Sequence, residues 1–346
     1  MLASASPAAF QKADLLAGFA QFIQVDVADG DASSDTVKTY ASSVKQFFAW
    51  CQDNQIHPLS ATREDLKQYR RWLVEVKHYK SATISLKLTV VRRFYAGAIS
   101  HGLIVANPAL GIKPPRENRD PALRINYLEE IEVSQLLAAI PSDDSVASLR
   151  DRLLVGTMVL EGCRTIEMHR LSIEDIVKRG RDVGLRVSGK RSLHVVPLTP
   201  DLAKLLKKYL NARIDSGEEL TPESPLFVSV DRRTRGNRLS RRSIQRVVDK
   251  YLVAIGLKEP APSKQEKSKL AKSKLVNKTK PKSGRKLSAH SLRHTAGTLA
   301  LRSGSQLRQV QDLLGHADPR TTAIYAHIAD RWLNNPALRL NVTVRV

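Results

Sequence analysis

Residues 310–327 read VQDLLGHADPRTTAIYAH. The stretch predicts a helix over 306–314 that stops at Gly315 and leaves His316 at its C-terminal edge. A second helix is expected over 319–328, with Asp318 as its N-cap and Pro319 at its first position. Tyr325 then lies on that second helix, nine residues after His316. Each residue alone has a plain structural reading. A histidine at a helix end is a usual cap, and a single tyrosine on a helix is usually a packed aromatic.

Three further stretches upstream carry residues of the same kind. Residues 290–301 read HSLRHTAGTLAL, on a helix expected over 288–303. His290 and Arg293, three apart, share a helical face. His290 and His294 have the i, i+4 spacing of zinc ligands, but Ser291 stands where a metalloprotease needs Glu, so no metal is expected. Residues 162–171 read GCRTIEMHRL. A glycine break followed by Arg164 places a guanidinium near a helix start, a good anion site, with Glu167 as its natural ion-pair partner. Residues 189–198 read GKRSLHVVPL and put Lys190 in a tight turn, where a lysine is ordinarily only solvated.

The rest of the chain sorts into a helical part and a mixed part, an α+β fold that is mainly α with a small antiparallel sheet. Residues 1–34 are small and polar, and are expected to be a flexible N-terminal segment. A helical domain is expected over 35–110. Its first helix carries Val37, Tyr40, Val44, Phe47 and Phe48 behind a Ser34 or Asp35 cap. A second starts at Thr62, with Asp65 closing a capping box, and carries Leu66, Tyr69, Leu73 and Val76. A third runs from Ser81 to His101-Gly102. Residues 111–126, with Pro114-Pro115, read as a linker.

The mixed domain is expected over 127–330. Helices are predicted at 129–139 and 147–160, and strands at Leu171–Val177, Val183–Val187 and Leu193–Leu198. Thr199-Pro200 opens another helix, and Ser240 caps one more. Residues 263–286 hold nine Lys and one Arg against one Glu and read as a low-complexity basic insertion. Residues 331–346 form a C-terminal tail.

The chain carries 56 Lys and Arg against 34 Asp and Glu, a net charge of +22 over 346 residues. Such an excess points to a polyanionic partner, most commonly nucleic acid. If about ten phosphates are neutralised, log K falls with log salt at a slope of roughly −9. Lys87, Arg92 and Arg93 on the third helix, and Arg241, Arg242 and Arg246 on a basic helix further on, are the candidates for DNA contact. Two cysteines, Cys51 and Cys163, make no disulfide framework. The first residues, MLASASPAAFQK, contain no basic segment followed by an apolar run. A cytoplasmic, nucleoid-associated protein with no membrane segment is expected.

In order along the chain stand an arginine, a hairpin lysine, His-x-x-Arg, Gly-His, and a tyrosine nine residues later. This order and these spacings resemble the tyrosine recombinase (phage integrase) family, over roughly residues 35–330. The helical part looks like the family's core-binding domain and the mixed part like its catalytic domain. The resemblance implies that Arg164 and Arg293 clamp the scissile phosphate, that Lys190 is the strand-turn lysine, that His290 and His316 fill the two histidine positions, and that Tyr325 is the nucleophile, with Glu167 in support. It also implies a site-specific recombinase that joins a DNA end to tyrosine as a 3′-phosphotyrosine, as in integration, excision or resolution of DNA elements. No cofactor is implied. The expected partners are double-stranded DNA sites, a homotetramer on two such sites, and accessory DNA-bending proteins.

The chemistry suits those residue types. Phosphodiester cleavage passes through a five-coordinate phosphorus with added negative charge, which two guanidiniums stabilise without reorganising. Ionising a phenol of pKa near 10 at pH 7 costs about 4 kcal/mol, and a cationic cluster lowers that cost. His290 is a proton acceptor for the phenol and Lys190 a donor to the departing 5′-oxygen. A type IB topoisomerase would share the chemistry, and a non-catalytic basic protein would share the charge. The two-domain layout and the stretch 310–327 favour the recombinase.

Overall fold

In the computed structural model, residues 12–25, 33–116, 125–189, 193–260, 285–316 and 318–326 are described. The chain divides into two compact units, Met1–Asn118 and Arg119–Val346. Among the described residues no helix is long and apolar enough to cross a membrane.

The described residues of the first unit contain four α-helices: α1 Lys12–Val25, α2 Ser34–Asp53, α3 Arg63–Glu75 and α4 Ser81–Ser100. Local chemistry sets their starts. The Thr36 amide donates to Ser33 Oγ at the head of α2, so the cap is Ser33 and not Ser34 or Asp35. At the head of α3, Thr62 and Asp65 close a reciprocal capping box, as the spacing predicts. The core is aromatic. Phe47 touches the rings of Trp50, Tyr69, Phe94 and Tyr95. Cys51 is buried beside them, and burial pushes its thiol up to about 12, which leaves it unreactive.

Two expectations fail in this unit. Residues 1–34, expected to be flexible, contain α1, whose Leu15, Phe19, Phe22 and Ile23 are buried in the same core. Their spacing is helical, and burying each apolar side chain is worth about 1.5–3 kcal/mol. Val76, expected inside, is the C-cap of α3 and is 60% exposed, because the helix ends one residue before it. The end of the expected helical domain and the first residues of the expected linker are tied back onto this unit. Arg63 donates to the Leu110 carbonyl, Arg70 to Lys113 and Ser81 to Pro115. These bonds answer the question of where backbone carbonyls in a proline-containing stretch find donors.

The second unit is mixed. Its helices are α5 Glu130–Ala138, α6 Val146–Leu160, α7 Thr165–Arg170, α8 Pro200–Asp215, α9 Arg241–Ala254, α10 Ala289–Arg302, α11 Leu307–Leu314 and α12 Pro319–Ala326. Its strands β1 Ile176–Arg179, β2 Asp182–Ser188 and β3 Leu193–Pro197 form one antiparallel sheet in the order β1-β2-β3. Helix α6 is buried on nearly every side and packs against both α8 and α10. Its buried charges are satisfied. Arg150 pairs with Asp151 at 2.6 Å and donates to the Val228 carbonyl, and Tyr251 of α9 donates to Asp151. A buried ion pair holds only when its remaining polar atoms are bonded in this way.

The strand expected at Leu171–Val177 is replaced by a turn and a later strand. Ser172 and Asp175 form their own capping box around a single 3-10 turn, Ile173–Asp175, so pairing with β2 starts at Ile176. The turn between β1 and β2 is Gly180-Arg181, since Arg179 still pairs with Asp182. The basic insertion expected over 263–286 lies almost wholly outside the described residues. Its last residues do not, and Arg285 is anchored by Glu132 and by the Tyr127 carbonyl.

Candidate active site

The candidate residues come from four separate places in the second unit. Arg164 is the N-cap residue of α7, just after a glycine break. His290 sits on the first turn of α10 and Arg293 on the next. His316 follows α11, and Tyr325 is in the last turn of α12. Lys190 lies outside the described residues.

Glu167 fixes Arg164. Its carboxylate accepts from the Arg164 amide at 2.7 Å and from Nη1 at 2.6 Å. Glu167 is 1% exposed, while the Arg164 side chain remains part-exposed at 30%. The pair therefore has one buried anchor and one end open to a ligand.

Arg293 is held differently. It is 2% exposed and donates Nη1 to the Gly162 carbonyl at 2.7 Å and Nη2 to the Leu314 carbonyl. Two of five guanidinium donors are committed to backbone, and the geometry of the other three is thereby set. Burial, and then the charge of Arg164, push its pKa down to about 10, which leaves it charged at neutral pH. The Gly162 carbonyl reaches Arg293 because Gly162 has φ +68° and packs tightly on Leu314. A Cβ there would stand 2.5 Å from Leu314 Cδ2. Only glycine meets both demands.

Helix α11 ends in a Schellman motif. The Gly315 amide donates to the Asp312 carbonyl and the His316 amide to Gln311, with Gly315 at φ +58°. This turn sets His316, whose Nδ1 lies 2.8 Å from Thr322 Oγ1. Burial first, then Arg293 and Arg164, lower the His316 pKa to about 4. His290 is lowered too, by burial and by the same two arginines.

Tyr325 is 2% exposed and packs with Ala296, Val310 and Leu314. Its hydroxyl is 2.8 Å from His294 Nδ1. The His294 ring lies edge-on to His290, with centroids 4.5 Å apart. The His316 ring is parallel to Tyr325 at 6.3 Å. Burial raises the phenol's pKa, while Arg293 and Arg164 pull it down, and burial prevails. The phenol is therefore protonated at neutral pH.

Two residues of this cluster are not marked by the sequence pattern. His194 on β3 pairs with Val187 and points to the same buried face of the sheet. Its ring rests against the backbone of Gly315, and its pKa is lowered by burial and affected by Glu167, Arg164 and Arg293. Its Nδ1 is buried and has no hydrogen-bond partner among the described residues. The alternation Leu193-His194-Val195-Val196, with His194 on the inward register, is the available signal. The spacing of His294 from His290 points only to a metal ligand. Among the described residues no group of three or more His, Cys, Asp or Glu is placed to hold a metal.

The six candidates for DNA contact are not part of this cluster. Lys87 lies over the Tyr79 ring at 5.1 Å, and Arg92 bonds Leu88 and Thr89 of its own helix. Arg93 is exposed, as are Arg241, Arg242 and Arg246 on α9.

Known proteins resemble this chain in sequence and in fold. The sequence profile of the phage integrase family matches residues 126–331, and that of the phage integrase N-terminal SAM-like domain matches residues 15–101. The tyrosine recombinase XerC of Pelobacter propionicus is 29% identical over 301 residues, covering 86% of each chain. Among solved structures, XerH site-specific recombinase bound to palindromic difH substrate in a post-cleavage complex superposes with a TM-score of 0.68 at 19% identity. That match covers 94% of this chain and 95% of XerH. A lambda integrase dimer bound to a COC′ core site gives 0.65 at 18% identity, over 93% and 97%.

Proposed function

The chain belongs to the phage integrase family, the tyrosine recombinases, and we propose that in its site-specific DNA recombination Tyr325 attacks the scissile phosphate. The observation that carries this reading is that Arg293 is held by the carbonyls of Leu314, on which Tyr325 packs, and of Gly162, which lies two residues before Arg164. Arg164 and Arg293 both act electrostatically on Tyr325, although they are fixed by different partners on different helices. The same two charges stabilise the added negative charge of a five-coordinate phosphorus.

The steps follow from the bonds made and broken. Tyr325 Oη bonds to phosphorus, the P–O5′ bond breaks, and a 3′-phosphotyrosine remains with a free 5′-hydroxyl. The departing oxygen takes a proton, for which Lys190, between β2 and β3 in the sequence, is our candidate donor. His316, oriented by Thr322, hydrogen-bonds a phosphate oxygen; His290 supports the same site. Glu167 orients Arg164. The ester keeps the bond energy, so rejoining consumes no ATP, and the two arginines take the charge-stabilising role that a metal has elsewhere.

Exchanging strands between two duplexes requires a cut in each of four strands, so a homotetramer on two DNA sites is the working assembly. Accessory DNA-bending proteins at the nucleoid complete our picture of its partners. Lys87, Arg92, Arg93, Arg241, Arg242 and Arg246 are proposed to meet the DNA backbone.

The test uses a duplex that the protein selects from a randomised pool. The native chain should form a covalent adduct with it that survives denaturing electrophoresis, in EDTA and without ATP. Tyr325→Phe should form none. Arg164→Ala should lose the adduct while keeping most of its DNA affinity, because many other cations hold the backbone. An adduct with Tyr325→Phe would overturn the assignment of the nucleophile.

A further inference from the structure

We infer that His294 is a catalytic residue of this protein, holding the Tyr325 hydroxyl through Nδ1 and receiving its proton as the bond to phosphorus forms. The inference rests on Tyr325 being the nucleophile. It transfers the proton-accepting role that the residue pattern suggests for His290.

Geometry singles out His294. Among the described residues it is the one titratable side chain hydrogen-bonded to the Tyr325 hydroxyl, at 2.8 Å. That distance is within the reach a general base needs. The Nδ1 of His316 is bonded to Thr322, and its ring is stacked parallel to Tyr325 with no hydrogen bond to the hydroxyl. His290 meets the edge of the His294 ring. Both elements that bring the pair together are fixed. His294 is one turn after His290 on α10, and Gly297, a turn further on, leaves room for the tyrosine ring. A Cβ at 297 would lie 3.2 Å from Tyr325 Cζ.

The protonation states fit. Burial, His290 and Arg293 hold the His294 pKa down to about 4, so the ring is neutral at physiological pH. A neutral imidazole has one lone pair and one N–H. With the lone pair on Nδ1 the phenol donates to it. A ring of such low basicity does not ionise a resting phenol, and it need not. As the Oη–P bond forms, the phenolic oxygen becomes an ester oxygen and its proton becomes strongly acidic. A phosphate between Arg164 and Arg293 also offsets the positive field that depresses His294. Both changes favour transfer late in the step, with the proton ending on Nδ1. In rejoining, the 5′-oxygen displaces Tyr325, and His294 returns the proton to it. Cleavage and rejoining share one transition state, so loss of His294 slows both by the same factor.

The experiment measures the rate of adduct formation on the selected duplex, with tyrosine or 3,5-difluorotyrosine at position 325. The fluorinated phenol is more acidic and needs less help to lose its proton. With tyrosine, His294→Ala and His294→Gln should each slow adduct formation by about 10²- to 10⁴-fold. With difluorotyrosine the same substitutions should cost less than about tenfold. His294→Gln keeps a polar side chain against Tyr325, so it supplies the comparison where His294→Ala does not fold. Equal losses with both phenols would mean that His294 only packs, and no loss with tyrosine would mean that it does nothing; either result overturns the inference while Tyr325 stands. An absence of adduct with the native chain would instead remove the assignment of Tyr325 itself.

Discussion

Adding one methyl group at Gly315 should loosen the end of α11 and displace His316, and His194 should be the side chain that opposes it. A Cβ at 315 would stand 2.4 Å from His194 Cε1, 2.7 Å from Nε2 and 2.9 Å from Nδ1. All three are closer than real Cβ atoms approach their neighbours, and a ring on a paired strand moves as a body. Two costs follow for Gly315→Ala. Holding alanine at φ +58° costs about 1–2 kcal/mol. Forcing the ring away costs about 1–3 kcal/mol more, as for other overpacked sites. The total is about 2–5 kcal/mol. Hydrogen exchange of the α10 and α11 amides is the assay, since each 1.4 kcal/mol lost from local opening speeds exchange about tenfold. In a His194→Ala background the steric part disappears, and Gly315→Ala should cost only the left-handed backbone, about 1–2 kcal/mol. The coupling of about 1–3 kcal/mol between the two sites is the quantity that matters. Additivity within about 0.5 kcal/mol would refute the reasoning, because it would mean that His194 does not bear on Gly315. DNA cleavage should follow the same pattern, falling in Gly315→Ala and partly recovering in the double variant.

Two other outcomes are expected. The His316 pKa of about 4 lies below its unfolded value of 6.5, so the unfolded chain binds the proton first as pH falls. Stability is complete above pH 6.5 and declines towards pH 4, by about 3 kcal/mol for this group. Urea midpoints at pH 7.5 and pH 5 should show the loss, and His316→Asn should remove the His316 share of it while the share of His294 and its neighbours remains; a native midpoint that does not move over this range would contradict the burial argument. Deleting residues 263–286 should make the salt dependence of DNA binding shallower, by about 0.9 in log–log slope for each phosphate no longer neutralised. An unchanged slope would show that these lysines do not meet DNA.

Much of the fold was legible because its signals are local. The Thr62–Asp65 capping box, the Ser240 and Thr199 caps, the Gly315 stop and the Pro319 start are encoded within about four residues, and the structure places each where the spacing predicts. Helix α1 was legible too, since Leu15, Phe19, Phe22 and Ile23 have helical spacing, but a surrounding stretch of small polar residues obscured it. The strand expected from Leu171 failed for the opposite reason. A β-branched run was overruled by the Ser172–Asp175 turn, a local competitor for the same backbone groups.

The sequence by itself determined the residue types of the site and their order, from Arg164 to Tyr325. It also determined the pairing of Arg164 with Glu167, three residues apart on one helical turn. Only the tertiary structure decided what those residues do to one another. Arg293 is held by carbonyls 131 and 21 residues away, and Tyr325 meets a histidine 31 residues away. His194 enters from a strand to rest on Gly315. No helical period or cap relates positions so far apart. Their meeting depends on how α10, α11 and α12 pack, and that packing makes His294, rather than His290, the partner of Tyr325.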